Sequence, residues 1–487
     1  MAVILDSLQQ GETKMKSKFF ARFDFIILLC VLFLSTFGIL FVYSARFTSK
    51  GLINSTQYIK QIIWAGVGLV LIFFICLGDY KRVRRYSHYL FIFLLAVLVF
   101  TRLFGRKVNG ARSWLGIGGF GIQPSEFGKI LFIFYMARFL EESKNMDGFL
   151  RFVFGNLIMF LPMGLILIQP DLGTASVYFP IFLLMGFMAG IPVRYLLFEL
   201  SFLLITIILS VLPVYNQFIP ETPHPFLLVL SNFRLRLVLI FVTGMIAAMS
   251  AWVRRFLHGK KYFYWITYIF LCITGSLILS MFMQKFLTGI TNTYPDGTSK
   301  AQTISDLLKH PSKWLEFPAR WRDLSYQMKR LIIFMKPEID IQGAGWNIYQ
   351  SKIAIGSGGF WGRGFLQGTQ SHNGWLPEQS TDFIFGILSE ETGFIGGFAI
   401  LSVYMILFLR IIQIIKNNQS VYGTYIATGI LAMYAFHFFI NIGMLMGIMP
   451  ITGIPLLFLS YGGSSLLTAM ICAGILMNIN YHKMELH

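Results

Sequence analysis

Long apolar runs dominate the chain and recur at lengths that fit membrane-spanning helices. A helix needs roughly 20 mainly apolar residues to cross a bilayer, and many runs reach or approach that length. The candidate helices lie near 24–45, 58–79, 87–104, 125–141, 152–169, 172–190, 195–216, 235–256, 262–286, 383–411, 422–448 and 456–479. The pattern therefore predicts an all-α polytopic membrane protein with about 12 transmembrane helices.

Composition supports a membrane protein. Of the 487 residues, 56% are hydrophobic and only 13% are charged, whereas about 25% are charged in a typical soluble domain. The four cysteines, Cys30, Cys76, Cys272 and Cys472, lie in apolar runs without disulfide or metal-site spacing. We therefore expect these cysteines to be buried as small apolar residues. The first apolar run follows a polar start and is long enough to remain as a span, so we expect no cleavable signal peptide.

Basic residues fall in alternate loops. A net charge of +18 would suggest a nucleic-acid partner in a soluble protein, but here it indicates cytoplasmic loops that face anionic lipid. Examples are DYKRVRRY (79–86) and RRFLHGKK (254–261). With twelve spans these loops share one side, which predicts a cytoplasmic N-terminal segment (1–23) and a cytoplasmic tail (480–487), with no nucleic-acid partner.

The opposite side receives a long segment, 287–382, which is too long for an idle connection. It contains the glycine-rich stretch KPEIDIQGAGWNIYQSKIAIGSGGFWGRG (336–364). This stretch matches neither of the common glycine-rich nucleotide-binding motifs, and it lies on the wrong side for ATP. Most of its glycines fit tight turns between re-entrant or interfacial helices, where backbones approach closely.

Ionisable side chains stand where membrane proteins rarely tolerate them. QPSEFGK places Glu126 and Lys129 three residues apart at a helix entrance, and QPDLGTA places Asp171 between two predicted spans. Such residues are functional candidates by default. The alternative for Glu126 and Lys129 is a structural ion pair that holds helices together.

Three further carboxylates belong to the long outer segment. Asp340 precedes the turn IQGAGW, while Glu378 and Asp382 lie at the entrance of the helix near 383–411. Helix or turn capping is the alternative explanation for Asp340, and Thr381 or Asp382 is a candidate cap for the following helix.

Seven motifs in a fixed order resemble one protein family. They are RSWL (112–115), QPSEFGK (123–129), QPDLGTA (169–175), YQMKR (326–330), GAGWNIYQSKIAIGSGGFWGRGFLQGTQS (343–371), LPEQSTDFIFGILSEETG (376–393) and GIMPITGIPLLFLSYGGSS (447–465). Together they resemble the SEDS family of bacterial envelope proteins, RodA and FtsW, and QSKIAIGSGG with GTQS looks closer to RodA. The resemblance implies a peptidoglycan glycosyltransferase that polymerises lipid II at the outer face of the bacterial cytoplasmic (inner) membrane, for cell elongation and rod shape.

The resemblance also implies site residues. The essential aspartate of the family's large outer loop matches Asp340, and the glutamate and lysine of its QPSE motif match Glu126 and Lys129. Its arginine before Trp-Leu matches Arg112, and the aspartate of its QPDLG motif matches Asp171.

The chain departs from the family pattern in three places. Ile341 follows the aspartate where proline is usual, and Leu457 replaces the second proline of the usual GIPLPF motif. The family usually has ten spans, so we expect an inserted helix pair within 195–286. That gives a predicted organisation of membrane helices over 24–286, the outer loop 287–382, and C-terminal helices over 383–479.

The implied reaction joins an acceptor sugar hydroxyl to the anomeric carbon of a lipid-pyrophosphate donor. We expect Asp340 to act as general base, which gives inversion by direct displacement. Arg112, Lys129 and Lys352 are candidates to stabilise the leaving pyrophosphate, with Glu126, Asp171, Glu378 and Asp382 as further substrate-site candidates. A divalent cation, Mg²⁺ or Mn²⁺, is an alternative charge stabiliser, with Asp340 as its ligand instead of the base. No organic cofactor is expected.

Two other functions fit the same sequence. A lipid II flippase would need charged groups along a path through the membrane, and a non-catalytic scaffold would tolerate substitution of Asp340. The predicted clustering of charges at one face favours the enzyme. By resemblance, the expected partners are lipid II, a class B penicillin-binding protein transpeptidase and other membrane proteins of the elongation complex.

Overall fold

The computed structural model describes residues 24–48, 51–52, 56–108, 111–117, 120–218, 230, 233–256, 261–289, 326–336, 344–372 and 379–484. The chain divides into two compact units, with boundaries after Ile191 and after Trp346. The first unit combines the N-terminal and C-terminal parts of the chain, and the second is the part between the two boundaries.

The first unit holds most of the helices. Its elements are α1 (Phe25–Ser44), β1 (Phe47–Thr48), β2 (Gly51–Leu52), α2 (Gln57–Leu77), α3 (Tyr80–Phe104), β3 (Arg106–Val108), β4 (Ala111–Ile117), β5 (Phe120–Ile122), α4 (Pro124–Glu142), α5 (Gly148–Ile168), α6 (Leu172–Ser176) and α7 (Tyr178–Met188) before the first boundary. After the second boundary it continues with most of α12 (Ala344–Ser357), then α13 (Thr369–His372), α14 (Ile384–Asn417), α15 (Val421–Leu445) and α16 (Gly463–Met484).

In the described part of the second unit, three helices are long and one is short. They are α8 (Val193–Phe218), α9 (Phe233–Phe256), α10 (Lys261–Gly289) and α11 (Tyr326–Met335). Three of these occupy the region 195–286, where an inserted helix pair is predicted, and that insertion stays a prediction.

The expectation of an all-α polytopic membrane protein is confirmed. Every predicted span contains a helix, and within the described ranges ten helices are long and apolar enough to cross a membrane. The two others are α4, which carries buried Glu126 and Lys129, and the stretch Leu172–Met188, which is shorter and divided at Val177 between α6 and α7.

Several helix boundaries differ from the predicted ones. The basic stretch 79–86, predicted as a loop, forms the first turns of α3, because Asp79 caps this helix and accepts a hydrogen bond from the Lys81 amide at 2.9 Å. At the other end of the chain, α16 begins at Gly463 instead of near 456. The apolar residues before it form a turn in which Phe458 has a φ of 70°.

The core of the first unit lies around α15 and α16. A larger share of residues is buried in these two helices than in the other candidate spans. The buried residues include small and polar ones such as Thr428, Asn441 and Thr468. Small residues allow close helix contact in membranes: a Cβ on Gly474 would lie 3.2 Å from the Ile72 Cα of α2.

Strands occupy the region between the predicted helices 87–104 and 125–141. β3, β4 and β5 form an antiparallel sheet in which Lys107 pairs with Arg112 and Leu115 pairs with Ile122. This small sheet stands directly before α4 and forms one wall of the site described below.

Candidate functional site

A cavity of about 440 Å³ lies inside the first unit. Its walls come from α2, the sheet, α4, α6, α15 and the non-helical segment before α16. The titratable or charged residues among its described lining are Lys60, Arg106, Glu126, Asp171, Asp382, His437 and Tyr461. Three carboxylates proposed from the sequence, Glu126, Asp171 and Asp382, therefore meet in one cavity.

Glu126 and Lys129 form an ion pair within α4. Pro124 begins the helix, for which its fixed φ is suited, and the three-residue spacing puts both side chains on one face. The Lys129 Nζ atom lies 2.8 Å from Glu126 Oε2, and relative exposure is 0% for Lys129 and 4% for Glu126. Because both residues belong to one helix, a link from this pair to a second helix requires a further partner, and the structural alternative stays open.

The link to a second helix comes from His437 of α15. Its Nε2 lies 3.2 Å from Lys129 Nζ, and its Nδ1 lies 2.9 Å from the Pro455 carbonyl oxygen. A carbonyl can only accept, so Nδ1 carries the hydrogen and Nε2 presents its lone pair to the ammonium. We assign this tautomer from the partners. A continuous hydrogen-bonded chain thus joins Pro455, His437, Lys129 and Glu126.

Asp171 has a local structural role as well as a place in the cavity wall. It is the N-cap of α6 and accepts hydrogen bonds from the Thr174 amide (3.1 Å) and the Thr174 hydroxyl (2.8 Å). Gln123 Nε2 donates to it at 2.7 Å. These three hydrogen bonds fix the orientation of the carboxylate at the cavity surface.

Asp382 lines the cavity just before α14. The N-cap of this helix is Phe383, which makes no side-chain cap hydrogen bond, and capping by Thr381 or Asp382 stays a prediction. The Asp382 carbonyl oxygen accepts a hydrogen bond from Asn441 Nδ2 at 3.0 Å.

The non-helical segment before α16 forms the remaining wall. Asn441 Nδ2 donates to the Ile454 carbonyl at 2.8 Å, and the Gln123 amide donates to Ser464 Oγ at 3.0 Å. Gly173 needs to be a glycine here, since an added Cβ would lie 2.7 Å from the Thr452 carbonyl oxygen. Burial raises the pKa of the Tyr461 phenol, an effect that the charge of Arg46 partly offsets, so Tyr461 presents a neutral hydroxyl to the cavity.

The cations at the cavity are not those expected from the sequence. Lys60 of α2 and Arg106 of β3 line it. Arg112 is exposed on β4 and Lys352 is exposed on α12, and neither is among the described lining residues. Lys352 Nζ lies instead beside Gly447, where an added Cβ would be 2.6 Å away.

Two predicted site residues, Asp340 and Glu378, lie outside the described residues. Four titratable or charged residues of the described lining were missed: Lys60, Arg106, His437 and Tyr461. Two of them had a sequence signal, since Lys60 is the only charged residue of α2 and His437 interrupts an apolar run. Both satisfy the rule that ionisable residues at membrane depth are functional candidates. Arg106 follows a helix end and had no such signal.

An apolar groove of about 430 Å³ adjoins the cavity. It lies between α3 and α4, and its lining includes Phe93, Val97 and Phe127. Leu115 and Gly116 of β4 line both the groove and the polar cavity. The cavity, which has charged side chains in its wall, and the apolar groove therefore meet at one strand.

Among the described residues, no group of three or more His, Cys, Asp or Glu side chains is placed to hold a metal ion. The divalent cation proposed from the sequence, with Asp340 as ligand, stays a prediction.

Known proteins match this chain over nearly its whole length. The family model for FtsW, RodA and SpoVE, described as a cell cycle protein, matches residues 24–219 and 314–485. The chain is 44% identical over 462 residues to peptidoglycan glycosyltransferase RodA of Treponema pallidum (strain Nichols), covering 95% of this chain and 98% of the relative. It is 32% identical to stage V sporulation protein E of Bacillus subtilis (strain 168), covering 94% and 97%.

A solved structure shares the fold. It is described as structural coordination of polymerization and crosslinking by a peptidoglycan synthase complex, and the match has a TM-score of 0.61 and 20% identity. The match covers 95% of this chain and 98% of the other.

Proposed function

This chain belongs to the FtsW, RodA and SpoVE family, and from that premise we propose that it is a peptidoglycan glycosyltransferase. It polymerises lipid II into glycan strands at the outer face of the cytoplasmic (inner) membrane, for cell elongation and rod shape. The relative from Treponema pallidum carries the same activity in its name.

The observation that carries this proposal is the meeting of the polar cavity with the apolar groove. A lipid-linked sugar has a charged, hydroxyl-rich head and a hydrocarbon tail. The cavity offers carboxylates and cations to the head, and the groove offers hydrocarbon contacts to the tail. Since both share Leu115 and Gly116, one amphiphilic molecule fits across the two.

The chemistry requires a base and a stabiliser of negative charge. The acceptor hydroxyl oxygen attacks the anomeric carbon, the bond from that carbon to the pyrophosphate oxygen breaks, and the hydroxyl proton passes to a carboxylate. We assign the proton to Asp340, with inversion at the anomeric carbon. Glu126, Asp171 and Asp382 supply further acceptors for sugar hydroxyls in the cavity.

Positive charge for the leaving pyrophosphate comes first from Lys60 and Arg106, because both line the cavity. Arg112 and Lys352 remain candidates through the resemblance, and Lys129 acts through its two partners, Glu126 and His437. In the alternative to Asp340 as base, Asp340 would hold a divalent cation, which would neutralise pyrophosphate charge when bound.

The proposal includes location and partners. Both termini are cytoplasmic by the distribution of basic residues, which places the segment with Asp340 outside. The proposed partner is a class B penicillin-binding protein transpeptidase, together with other elongation-complex membrane proteins. The description of the structurally similar synthase complex, which combines polymerization and crosslinking, supports a cross-linking partner.

The test is lipid II polymerisation by the purified protein, with and without its transpeptidase partner. We expect glycan chains from the wild type and none from Asp340→Asn, because an amide cannot accept the hydroxyl proton. Glu142→Gln is the matched control: it removes an exposed carboxylate paired with Arg138, which contributes little, and should polymerise normally.

Two results would contradict the proposal. Equal polymerisation by wild type and Asp340→Asn removes Asp340 from the chemistry. No polymer from the wild type even with the partner, together with lipid II movement across vesicles, makes the protein a flippase.

A further inference from the structure

We propose that His437 is a positioning residue that holds Lys129 so that Glu126 is presented to the substrate in the cavity. This inference rests on the proposed function and deepens it. It assigns a role in the reaction to a histidine within a membrane helix, the residue through which α15 is joined to the ion pair of α4.

The first support is the order of the three side chains. Glu126 and His437 line the cavity, whereas Lys129 is fully buried behind them and is not among the described lining residues. The ammonium has three N–H donors and no acceptor. One donor goes to Glu126 Oε2 at 2.8 Å and another to His437 Nε2 at 3.2 Å. The ammonium is therefore hydrogen-bonded to two residues that both line the cavity.

The second support is what the lysine would do without the imidazole. A buried N–H that loses its acceptor is costly, so the ammonium would turn to the nearest remaining acceptor, the Glu126 carboxylate. Both oxygens of Glu126 would then face Lys129. With His437 in place the lysine is drawn to one side, and Glu126 stays oriented toward the cavity that it lines.

The third support is the anchoring of the imidazole itself. The Nδ1–H donates to the Pro455 carbonyl at 2.9 Å, which fixes both the ring orientation and the tautomer. Asn441, one helical turn later on α15, fastens the carbonyl groups of Ile454 and Asp382. One face of α15 therefore contacts the ion pair, the segment before α16 and the backbone of Asp382, and fixes their relative positions.

Two amide substitutions separate the two sides of the ring. Glutamine places its amide group where Nε2 lies, facing Lys129, whereas asparagine places it near Nδ1, facing Pro455. The proposal requires the acceptor for Lys129, so we expect His437→Gln to keep most of the activity. We expect His437→Asn to lower kcat by about 10- to 100-fold, the loss that corresponds to one buried donor left without an acceptor, with little change in KM.

A double variant tests whether His437 acts through Lys129. In Lys129→Met the ammonium is gone, so adding His437→Asn should cause no further loss of kcat. Tyr434→Phe is the matched control on the same helix. It removes a buried hydroxyl that donates to the Ala469 carbonyl at 2.5 Å, away from the described cavity lining, and should keep the wild-type kcat.

The experiment is steady-state lipid II polymerisation by wild type, His437→Gln, His437→Asn, Lys129→Met, the double variant and Tyr434→Phe, with thermal unfolding measured for each. Greater activity in the Gln than in the Asn variant, with non-additivity in the double variant, supports the inference. Greater activity in the Asn variant, equal activity in both, or additive losses would overturn it. An inactive wild type would instead overturn the proposed function, and this inference with it.

Discussion

Two regions of the molecule place polar side chains between apolar helices, and they do so in different ways. In the first unit, Glu126, Lys129 and His437 form a charged cluster at the wall of a cavity. In the second unit, hydroxyl groups join α9 and α10 in a series of paired contacts. We refer to these as the charged cluster and the hydroxyl ladder.

The hydroxyl ladder follows the helix repeat. Arg236, Thr243 and Ser250 are seven residues apart on α9, and so share one face. Their partners on α10 run in the opposite direction: Arg236 donates to Ser280 Oγ, the hydroxyl oxygens of Thr243 and Thr274 lie 2.9 Å apart, and the hydroxyls of Ser250 and Thr267 lie 2.6 Å apart.

The difference between the two regions lies in what their polar groups meet. Ladder hydroxyls also bond to carbonyls of their own helices, as Thr274 does with the Phe270 carbonyl at 2.7 Å. Such groups stabilise helix association in a membrane. The charged cluster places a carboxylate and an imidazole at the wall of a cavity of about 440 Å³. Intramembrane polarity therefore indicates function only where ionisable groups meet a cavity.

The largest expected effect comes from breaking the charged cluster. Lys129→Met leaves the Glu126 carboxylate buried without its cation, which should lower the free energy of unfolding by roughly 3–5 kcal/mol and lower kcat of polymerisation at least as much as His437→Asn does, to a residual rate that can still be measured. Denaturant titration in detergent micelles and the polymerisation assay measure the two effects.

The double variant Glu126→Gln/Lys129→Met controls for the uncompensated charge. It should recover much of the stability but none of the activity. Recovery of both stability and activity would mean that the charged cluster has only a structural role. The contrast with the hydroxyl ladder would then be lost.

An intermediate effect is expected at the charged end of the ladder. Ser280→Ala removes an acceptor from buried Arg236, and hydrogen bonds to charged groups contribute about 1.5–3 kcal/mol. The free energy of unfolding should fall by that amount while kcat stays at the wild-type value.

Ser402→Ala is the control for this substitution, because the Ser402 hydroxyl bonds to the carbonyl of Phe398 in its own helix. It should be near neutral. A Ser280→Ala protein of normal stability but reduced kcat would indicate a catalytic role for the hydroxyl ladder. That result would contradict the distinction between the ladder and the charged cluster.

The smallest effect is expected in the middle of the ladder. Thr243→Val and Thr274→Val are nearly isosteric and remove the hydroxyl pair. A double-mutant cycle on the free energy of unfolding should give a coupling of about 0.6 kcal/mol, the average for interhelical hydrogen bonds in membranes. Zero coupling would mean that this rung does not contribute to helix association.

The helices were predictable because hydropathy acts over whole segments, and even α4 was recognised despite Glu126 and Lys129. Boundaries failed where local hydrogen bonds decide them. The apolar residues 456–462 fit a helix by composition, but Ser460 Oγ accepts from the Leu456 amide at 2.9 Å, and Phe458 adopts a positive φ. The strands of β3 to β5 have no hydropathy signal distinct from that of a loop.

The site was partly predictable for a similar reason. Motifs identified Glu126, Asp171 and Asp382, each of which lines the cavity, since their roles are tied to short local sequences. Lys60 and His437 contribute from helices that are distant in sequence. They reach the cavity because α15 contacts α4 through His437 and Lys129, and α2 contacts the segment before α16 through Gln61 and Ser460. Sequence spacing carries no information on such contacts.

The segment before α16 receives its hydrogen bonds through its backbone. Tyr404 donates to the Leu457 carbonyl, His437 to the Pro455 carbonyl, and Gln61 to the Ser460 carbonyl. A carbonyl acceptor survives any change of side chain at its own position. The leucine at 457, where the family pattern has proline, therefore leaves the acceptor for Tyr404 in place. Substitutions within this segment therefore leave its hydrogen bonds to neighbouring helices in place. Substitutions of the donor side chains on those helices remove the bonds.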